Sequence, residues 1–530
     1  MVWTQGWTSE ETESGIVIAD GSAASEPSVD LKELLFTLSD EDCESMRANF
    51  AWNIDEFIAP VLKLLKREEL KELVKEHWLK VPGFGKLQYI PGKILGVYEG
   101  RSQPVLFYSL DQYFPEVDDP KDANMIWALA DILVKTLNGM GIYAKSYTSP
   151  AKIYEQGVLD HCEIPTADDV PDGAEECVKY AWHCAGKTWI ECLQIGHFDR
   201  TFDFDQTSAY PYQMTKLQNT KYAKYQKSST MIENADWGFL RGRVTINPEV
   251  KVHPITHRLP DGSIINPGGS WDEWLTLDAV RFIYKWSIGT FKLYDGWFLT
   301  FMSPQKPLEI VMKRLFAYRG QKDLRDQLAK RMANGAIGKF LEEHKGGSEF
   351  GQYYNPLYGA MVQERTRLEV GRFIYVNKLW NKDIVSVNTD GVLSTKDVGM
   401  KLDRPKVMGK WRLADIGPAL AESSGNVFHS DKRPHGITYD ALMDALEEKP
   451  NESFYGLRGT RLVTIRDIID NKADWNELGK PKTFATSSVD LVKLLAMNKT
   501  KTLDRVYEGI PQTGKELLNN HYTSEPIILS

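Results

Sequence analysis

The residues of this chain that could do chemistry together lie in three short stretches. In TFDFDQTSAYPYQM (201–214) Phe and Asp alternate over 202–205, the period-2 pattern of a half-buried strand. Phe202 and Phe204 would face a core, and Asp203 and Asp205 would share the other face, close to where the strand ends. In VNTDG (387–391) Asp390 stands in a turn between the runs DIVSVN and GVLST, a pattern that predicts a hairpin. Between these, in QLAKRMANGAIGKF (327–340), Lys330, Asn334 and Gly338 recur one helical turn apart. Hard divalent cations take oxygen ligands, usually one or two carboxylates together with substrate phosphates. Two such ions about 3.5–4 Å apart can clamp the attacking and leaving oxygens of a phosphoryl transfer. A lysine suits a triphosphate as a point charge and as a proton donor to the leaving pyrophosphate. Taken singly, each feature has a plainer reading: a turn-starting Asp, a solvated Lys, an ordinary hairpin turn. Their order and combination carry the chemical reading.

The elements that must position these residues are legible in outline. At 530 residues the chain should form two to four units, and 42% hydrophobic with 11% aromatic residues suits large cores. No run of 18 apolar residues is present, so no membrane helix is expected. The start, MVWTQGWTSEETESG, lacks a basic region followed by an apolar one, so no secretory signal is expected. Five cysteines (Cys43, Cys162, Cys177, Cys184, Cys192) suit a reducing cytoplasm. Their spacings, even with His161, His183 and His197, are not those of zinc ribbons or fingers. A net charge of −9 neither predicts nor excludes nucleic-acid binding. Residues 1–28 read as a flexible leader. APVLKLLKREELKELVKEHWL (59–79) reads as one amphipathic helix, LQYIPGKILGVYEG and QPVLFYSL as strands, and ANMIWALADILVKTLNGMG as a helix ended by Gly139 or Gly141. TADDVPDGAEE (166–176) is a plausible boundary. Strands are expected over 237–300, and helices over 306–320 and 322–343 in an antiparallel hairpin.

Here a family resemblance enters. DQTSAYPYQM (205–214) resembles the first palm motif of family B DNA polymerases, Asp-x-x-Ser-Leu-Tyr-Pro, with a trailing Gln-Met like that of the protein-primed bacteriophage branch. QLAKRMANGAIGKF resembles the fingers motif Lys-x-x-x-Asn-Ser-x-Tyr-Gly, and VNTDG the second palm motif Tyr-x-Asp-Thr-Asp-Ser, in the family's order. AGKTWIE (185–191) is placed like the family's linker motif, and the likeness covers roughly 180–440. It implies an α+β, multidomain, right-hand polymerase, having a palm with an antiparallel sheet, helical-hairpin fingers and a thumb, preceded by an RNase H-like exonuclease-type domain. The implied boundaries are an N-terminal domain over 29–175, first palm part with insertion over 176–304, fingers over 305–345, second palm part over 346–415, and thumb with C-terminal region over 416–530.

The implied roles follow position by position. Asp205 and Asp390, with the carbonyl of Gln206, would hold two Mg²⁺ ions, for which Mn²⁺ could substitute. Ser208, Ala209, Tyr210, Arg319, Lys322, Lys330 and Asn334 would meet the incoming nucleotide, Tyr210 lying under the sugar so that a 2′-hydroxyl clashes. Gly338, Thr389, Lys410, Trp411, Lys432 and Arg433 would contact DNA. The implied partners are primer-template DNA and dNTPs, with a terminal protein or primase and accessory replication proteins as further candidates. No membrane is implied, and the setting is viral or mobile-element replication in a host cytoplasm.

The sequence departs from the pattern at several points. Asn388 stands for the first Asp of Asp-Thr-Asp, Gly335 for Ser, Ile337 for the fingers Tyr, and Gly391 for Ser. Asp203 is placed to restore one charge, although a solvent-facing strand Asp is the simpler reading. No Asp-x-Glu on an apolar strand precedes residue 50, and Asn49, Asp55 and Asp111 sit out of step with the exonuclease motifs. An exonuclease-like unit without its acids, and so without proofreading, is expected. Only 46 residues separate Phe340 from Val387, and most of them read as ordinary helix and strand, so the hairpin with which the phage enzymes encircle DNA is expected to be absent and processivity low. The rival reading is an inactive polymerase-like protein that binds primer-template DNA without extending it.

Overall fold

The computed structural model describes residues 3–6, 31, 35, 48–100, 105–117, 123–344, 349–402, 407–429 and 434–530. The chain forms two compact units, one of Met1–His161, Gln321–Met332 and Thr460–Phe484, the other of Cys162–Gly320, Ala333–Gly459 and Ala485–Ser530. No helix among the described residues is long and apolar enough to cross a membrane.

The first unit is built on a six-stranded sheet in the order Trp3–Gly6, Ala48–Ala51, Val105–Ser109, Ile94–Tyr98, Gly85–Ile90, Trp78–Val81. Ala48–Ala51 runs parallel to Val105–Ser109, and the other pairs are antiparallel. Three sequence expectations change here. Trp3–Gly6, within the presumed leader, is a strand paired with Ala48–Ala51. The single helix expected over 59–79 is two, Ile54–Lys63 and Arg67–Glu76, followed by strand Trp78–Val81. Asn53 caps the first through the amides of Asp55 and Glu56, and the Glu69 carboxylate accepts from the Lys66 amide at 2.7 Å to start the second. Thirdly, Thr460–Phe484 leaves the C-terminal region: Val463, Ile465, Ile468 and Leu478 join Phe57, Leu62, Leu87 and Phe107 in one core.

The second unit centres on an antiparallel sheet ordered Asn426–His429, Trp411–Ser423, Gln194–Gln206, Gly391–Ser394, Ile384–Asn388, Ile190–Cys192. Strand alternation divides its residues between two faces. Phe202, Phe204, Val387, Val392 and Leu413 pack on Val370, Phe373 and Ile374 of the 21-residue helix Pro356–Val376. On the opposite face Ile195, Val385, Leu393 and Ala419 are covered by Leu442, Leu446, Leu491, Leu494 and Leu517 from three C-terminal helices. Asp205, near the end of its strand, is 29% accessible. A second, five-stranded sheet, Ile528–Leu529, Gly268–Thr276, Trp237–Ile246, Gly289–Phe301, Ala223–Ser228, packs on helix Leu277–Lys285. Helices Glu309–Ala317 and Leu324–Phe340 follow it in sequence, matching the two helices expected there.

Candidate active site

Phe202 and Phe204 are buried and Asp203 and Asp205 half-buried, so the two aspartates share the face the alternation assigned them. Within the ladder Asp205 lies opposite Gly391 on one side and Arg412 on the other. The Gln206 amide donates to the Asp390 carbonyl at 3.0 Å. The sheet therefore brings Asp205, near the end of one strand, beside the hairpin turn that holds Asp390, 185 residues away in sequence. Arg412 donates from Nε and Nη2 to the Asp205 Oδ2, at 3.0 and 2.7 Å. Asp203 lies opposite Asp415.

Two strained residues bound this centre. The hairpin closes through Thr389 and Asp390, with Thr389 at φ 55° and its amide donating to the Trp189 carbonyl at 2.7 Å. A positive φ at the first central residue suits a II′ turn but is an outlier for a β-branched side chain. Ser208, at φ 51°, starts the short helix Ala209–Met214. That helix carries Tyr210, whose hydroxyl is pushed up to about 12 by burial and then by the negative charge of Asp390, with Arg367 acting in the other direction. Gly409 locks the segment: its amide donates to the Thr207 carbonyl at 2.7 Å, and its carbonyl accepts from Gln206 Nε2 at 2.9 Å.

The other expected residues fall variously. Ala209 and the Gln206 side chain are buried. Lys330, Asn334 and Gly338 are exposed along one stripe of helix Leu324–Phe340, and a Cβ at Gly338 would meet nothing within 4 Å. Arg319 is half-buried, while Lys322 is exposed at φ 57° with its amide bonded to Asp326. Lys410 is exposed, its carbonyl accepting from Thr207. Trp411, expected on DNA, stacks on Phe373 with ring centroids 4.0 Å apart, because its place opposite Gln206 turns it to the face away from Asp205. Lys432 and Arg433 lie outside the described residues. Arg412 was not foreseen, since only the strand register reveals that it meets Asp205.

In the first unit Asp55 is buried and accepts from the Tyr89 hydroxyl and Gly92 amide, at 2.7 and 2.6 Å. Asp111 accepts from Ser109, Asn53 and Gln112, and burial raises it to about 6. Both acids are engaged in holding local structure. Among the described residues no group of three or more His, Cys, Asp or Glu is placed to hold a metal. Asp205 and Asp390 fit the sparser Mg²⁺ mode, in which one or two carboxylates share the ion with substrate phosphates and water.

The mixed α/β fold resembles that of family B DNA polymerases, as the motifs had indicated. The structure of Phi29 DNA polymerase complexed with primer-template DNA and incoming nucleotide substrates matches with a TM-score of 0.50 and 14% identity, over 75% of this chain and 83% of that one. The orthorhombic crystal form of the same enzyme matches with a TM-score of 0.48 and 15% identity, over 69% and 81%. Its post-translocation complex with primer-template DNA gives 0.47 and 12%, over 75% and 83%. No family model and no curated protein matches the sequence.

Proposed function

We propose that this chain is a template-directed DNA polymerase that adds dNTPs to a primer 3′-end, or to a protein hydroxyl, by two-metal-ion nucleotidyl transfer, without 3′–5′ proofreading. The observation that carries the proposal is that strand pairing sets Asp205 beside the hairpin turn that holds Asp390, 185 residues further on, with the helix that bears Tyr210 starting at Ala209 directly after that strand. Asp205 and Asp390 would hold the ions, which when bound supply charge neutralisation at the attacking and leaving oxygens. Tyr210 excludes a ribose 2′-hydroxyl by its ring. Lys330, Asn334, Arg319 and Lys322 keep the nucleotide-facing roles that the motif resemblance gives them, and Gly338, Thr389 and Lys410 the DNA-facing ones. Palm, fingers and thumb would correspond to the central sheet, the helices Glu309–Ala317 and Leu324–Phe340, and the C-terminal helices.

A second reading, a protein that binds primer-template DNA without extending it, draws on Asn388 and on the Arg412 pairing, each of which reduces negative charge at the centre. Single-nucleotide extension of a labelled primer-template in Mg²⁺ or Mn²⁺ separates the two. dNTP addition that is lost in Asp390→Ala supports the polymerase. A DNA complex that forms but extends with neither metal supports the binding protein.

A further inference from the structure

We propose that Arg412 is a resident counter-cation of the candidate metal site: it holds Asp205 while no divalent ion is bound, and competes with that ion for the carboxylate. The inference rests on the polymerase reading and adds to it a residue that sets metal affinity.

Three observations support it. First, both donors of Arg412 converge on one oxygen, Asp205 Oδ2, at 3.0 and 2.7 Å. An oxygen engaged by two charge-assisted hydrogen bonds must give up at least part of that engagement before a hard cation can use it. Second, the two sides of Asp205 in the ladder are unlike. Gly391 contributes no side chain, so the direct cross-strand charge comes from Arg412 alone of the two partners. Third, the pair is part-exposed, with Asp205 29% and Arg412 32% accessible. A part-exposed ion pair contributes little to folding, so the fold does not depend on it and a competing cation can break it. A second acidic pair, Asp203 opposite Asp415, follows two residues along the strand from Asp205. Like charges in that relation repel, and a neighbouring guanidinium offsets them. A guanidinium stays charged throughout the working pH range, so the competition does not depend on pH.

The test is a Mn²⁺ titration of the full chain, with free Mn²⁺ followed by its electron paramagnetic resonance signal. Wild type is run beside Arg412→Gln, Arg412→Lys and Asp390→Asn, and each variant's fold is checked by circular dichroism and thermal melting. Arg412→Gln should bind Mn²⁺ roughly fivefold more tightly, the scale of one part-exposed ion pair. Arg412→Lys should fall between, because an ammonium keeps the charge but not the two-donor fork. If the Gln variant does not fold, the Lys variant carries the test, with tighter binding than wild type expected. Affinity unchanged or weaker in a folded Arg412 variant, while Asp390→Asn lowers it, overturns the proposal and leaves the metal site standing. Binding insensitive to Asp390→Asn overturns the metal-site reading and this proposal with it.

Discussion

Gly409→Ala tests how the loop 407–410 fixes the segment that carries Tyr210. At φ 80° Gly409 lies in the left-handed region, where an L side chain costs about 1–2 kcal/mol. Its added Cβ would fall 2.4 Å from Tyr212 Cγ and Cδ1 and 2.6 Å from Cδ2, whereas carbon atoms rest about 3.5–4.0 Å apart. The ring must therefore retreat by about 1 Å or more, an overpacking cost of about 1–3 kcal/mol. Together these predict a loss of about 2–5 kcal/mol from the stability of the second unit. The strain has a functional direction, because Tyr212 and Tyr210 share the helix Ala209–Met214. dNTP addition should slow and the KM for dNTP should rise. Denaturant midpoints and single-nucleotide extension read the two effects. The decisive variant is the double one: Tyr212→Ala in the Gly409→Ala background removes the ring but not the backbone strain. It should recover at least about 1 kcal/mol relative to additivity, as contacting residues in a cycle do. Strict additivity would show that the ring is not what the added methyl meets, and the reasoning would fail.

Three further outcomes are expected. Tyr210→Val should lower the dNTP-over-rNTP ratio of kcat/KM on the order of tenfold, or ~1.4 kcal/mol, and an unchanged ratio would remove Tyr210 from sugar discrimination. Burial raises the Glu422 carboxyl to about 7 from its ordinary 4.5, against the lowering hydrogen bonds from the Asp490 amide and Asn426. The folded state thus keeps a proton that the unfolded state has released, so stability present below pH 4.5 is lost as pH rises to about 7. The loss is about 3 kcal/mol, and Glu422→Gln should abolish that share of the pH dependence between denaturation curves at pH 5 and pH 8. If the variant keeps the full slope, Glu422 is not its source. Ile468→Ala, in the first unit's core, should cost about 2–5 kcal/mol in that unit's unfolding and spare the second's. A loss confined to the second unit would contradict the assignment of Thr460–Phe484.

What was legible in the sequence is what depends on local period. The Phe-Asp alternation of 202–205 assigned both faces of the central strand correctly, and the NTDG string marked the hairpin whose strands end at Asn388 and begin again at Gly391. The spacing of Lys330, Asn334 and Gly338 placed them one turn apart on a helix, where all three are exposed. Register was not legible. Strand Trp411–Ser423 carries irregularities between Leu413 and Asp415 and between Gly417 and Ala419, so no alternation rule says which of its residues meet Asp205. The stacking of Trp411 on Phe373 was therefore not foreseen, and Arg412 was missed. Long-range packing was equally hidden. Thr460–Phe484 lies about 350 residues beyond Val105–Ser109 in sequence, yet Ile465 and Leu478 complete the N-terminal core, which neither composition nor a linker signal announces. The break at Leu64–Lys66 was hidden for a different reason: the apolar spacing continues across it, and only the extended Lys66, with its amide bonded to Glu69, separates the two helices.

What the centre spends to keep its shape bears on the balance between an extending enzyme and a binding protein. Asn388 removes a charge that the family pattern would place beside Asp390, and Arg412 neutralises part of another. Both changes weaken attraction for a divalent ion, but neither disturbs the placing of Asp205 and Asp390. Against them stand Ser208 and Thr389, both at positive φ without being glycine, at about 1–3 kcal/mol each. DNA binding through the phosphate backbone requires cations and exposed surface, which Ser208, at the start of the Tyr210 helix, does not supply. A metal-dependent transfer gains from both residues, because one of them sets the turn that presents Asp390 and the other starts the helix that presents Tyr210. Six other described non-glycine residues, among them His77, Asn471 and Lys501, also stand at positive φ, so primer extension rather than strain decides between the two readings.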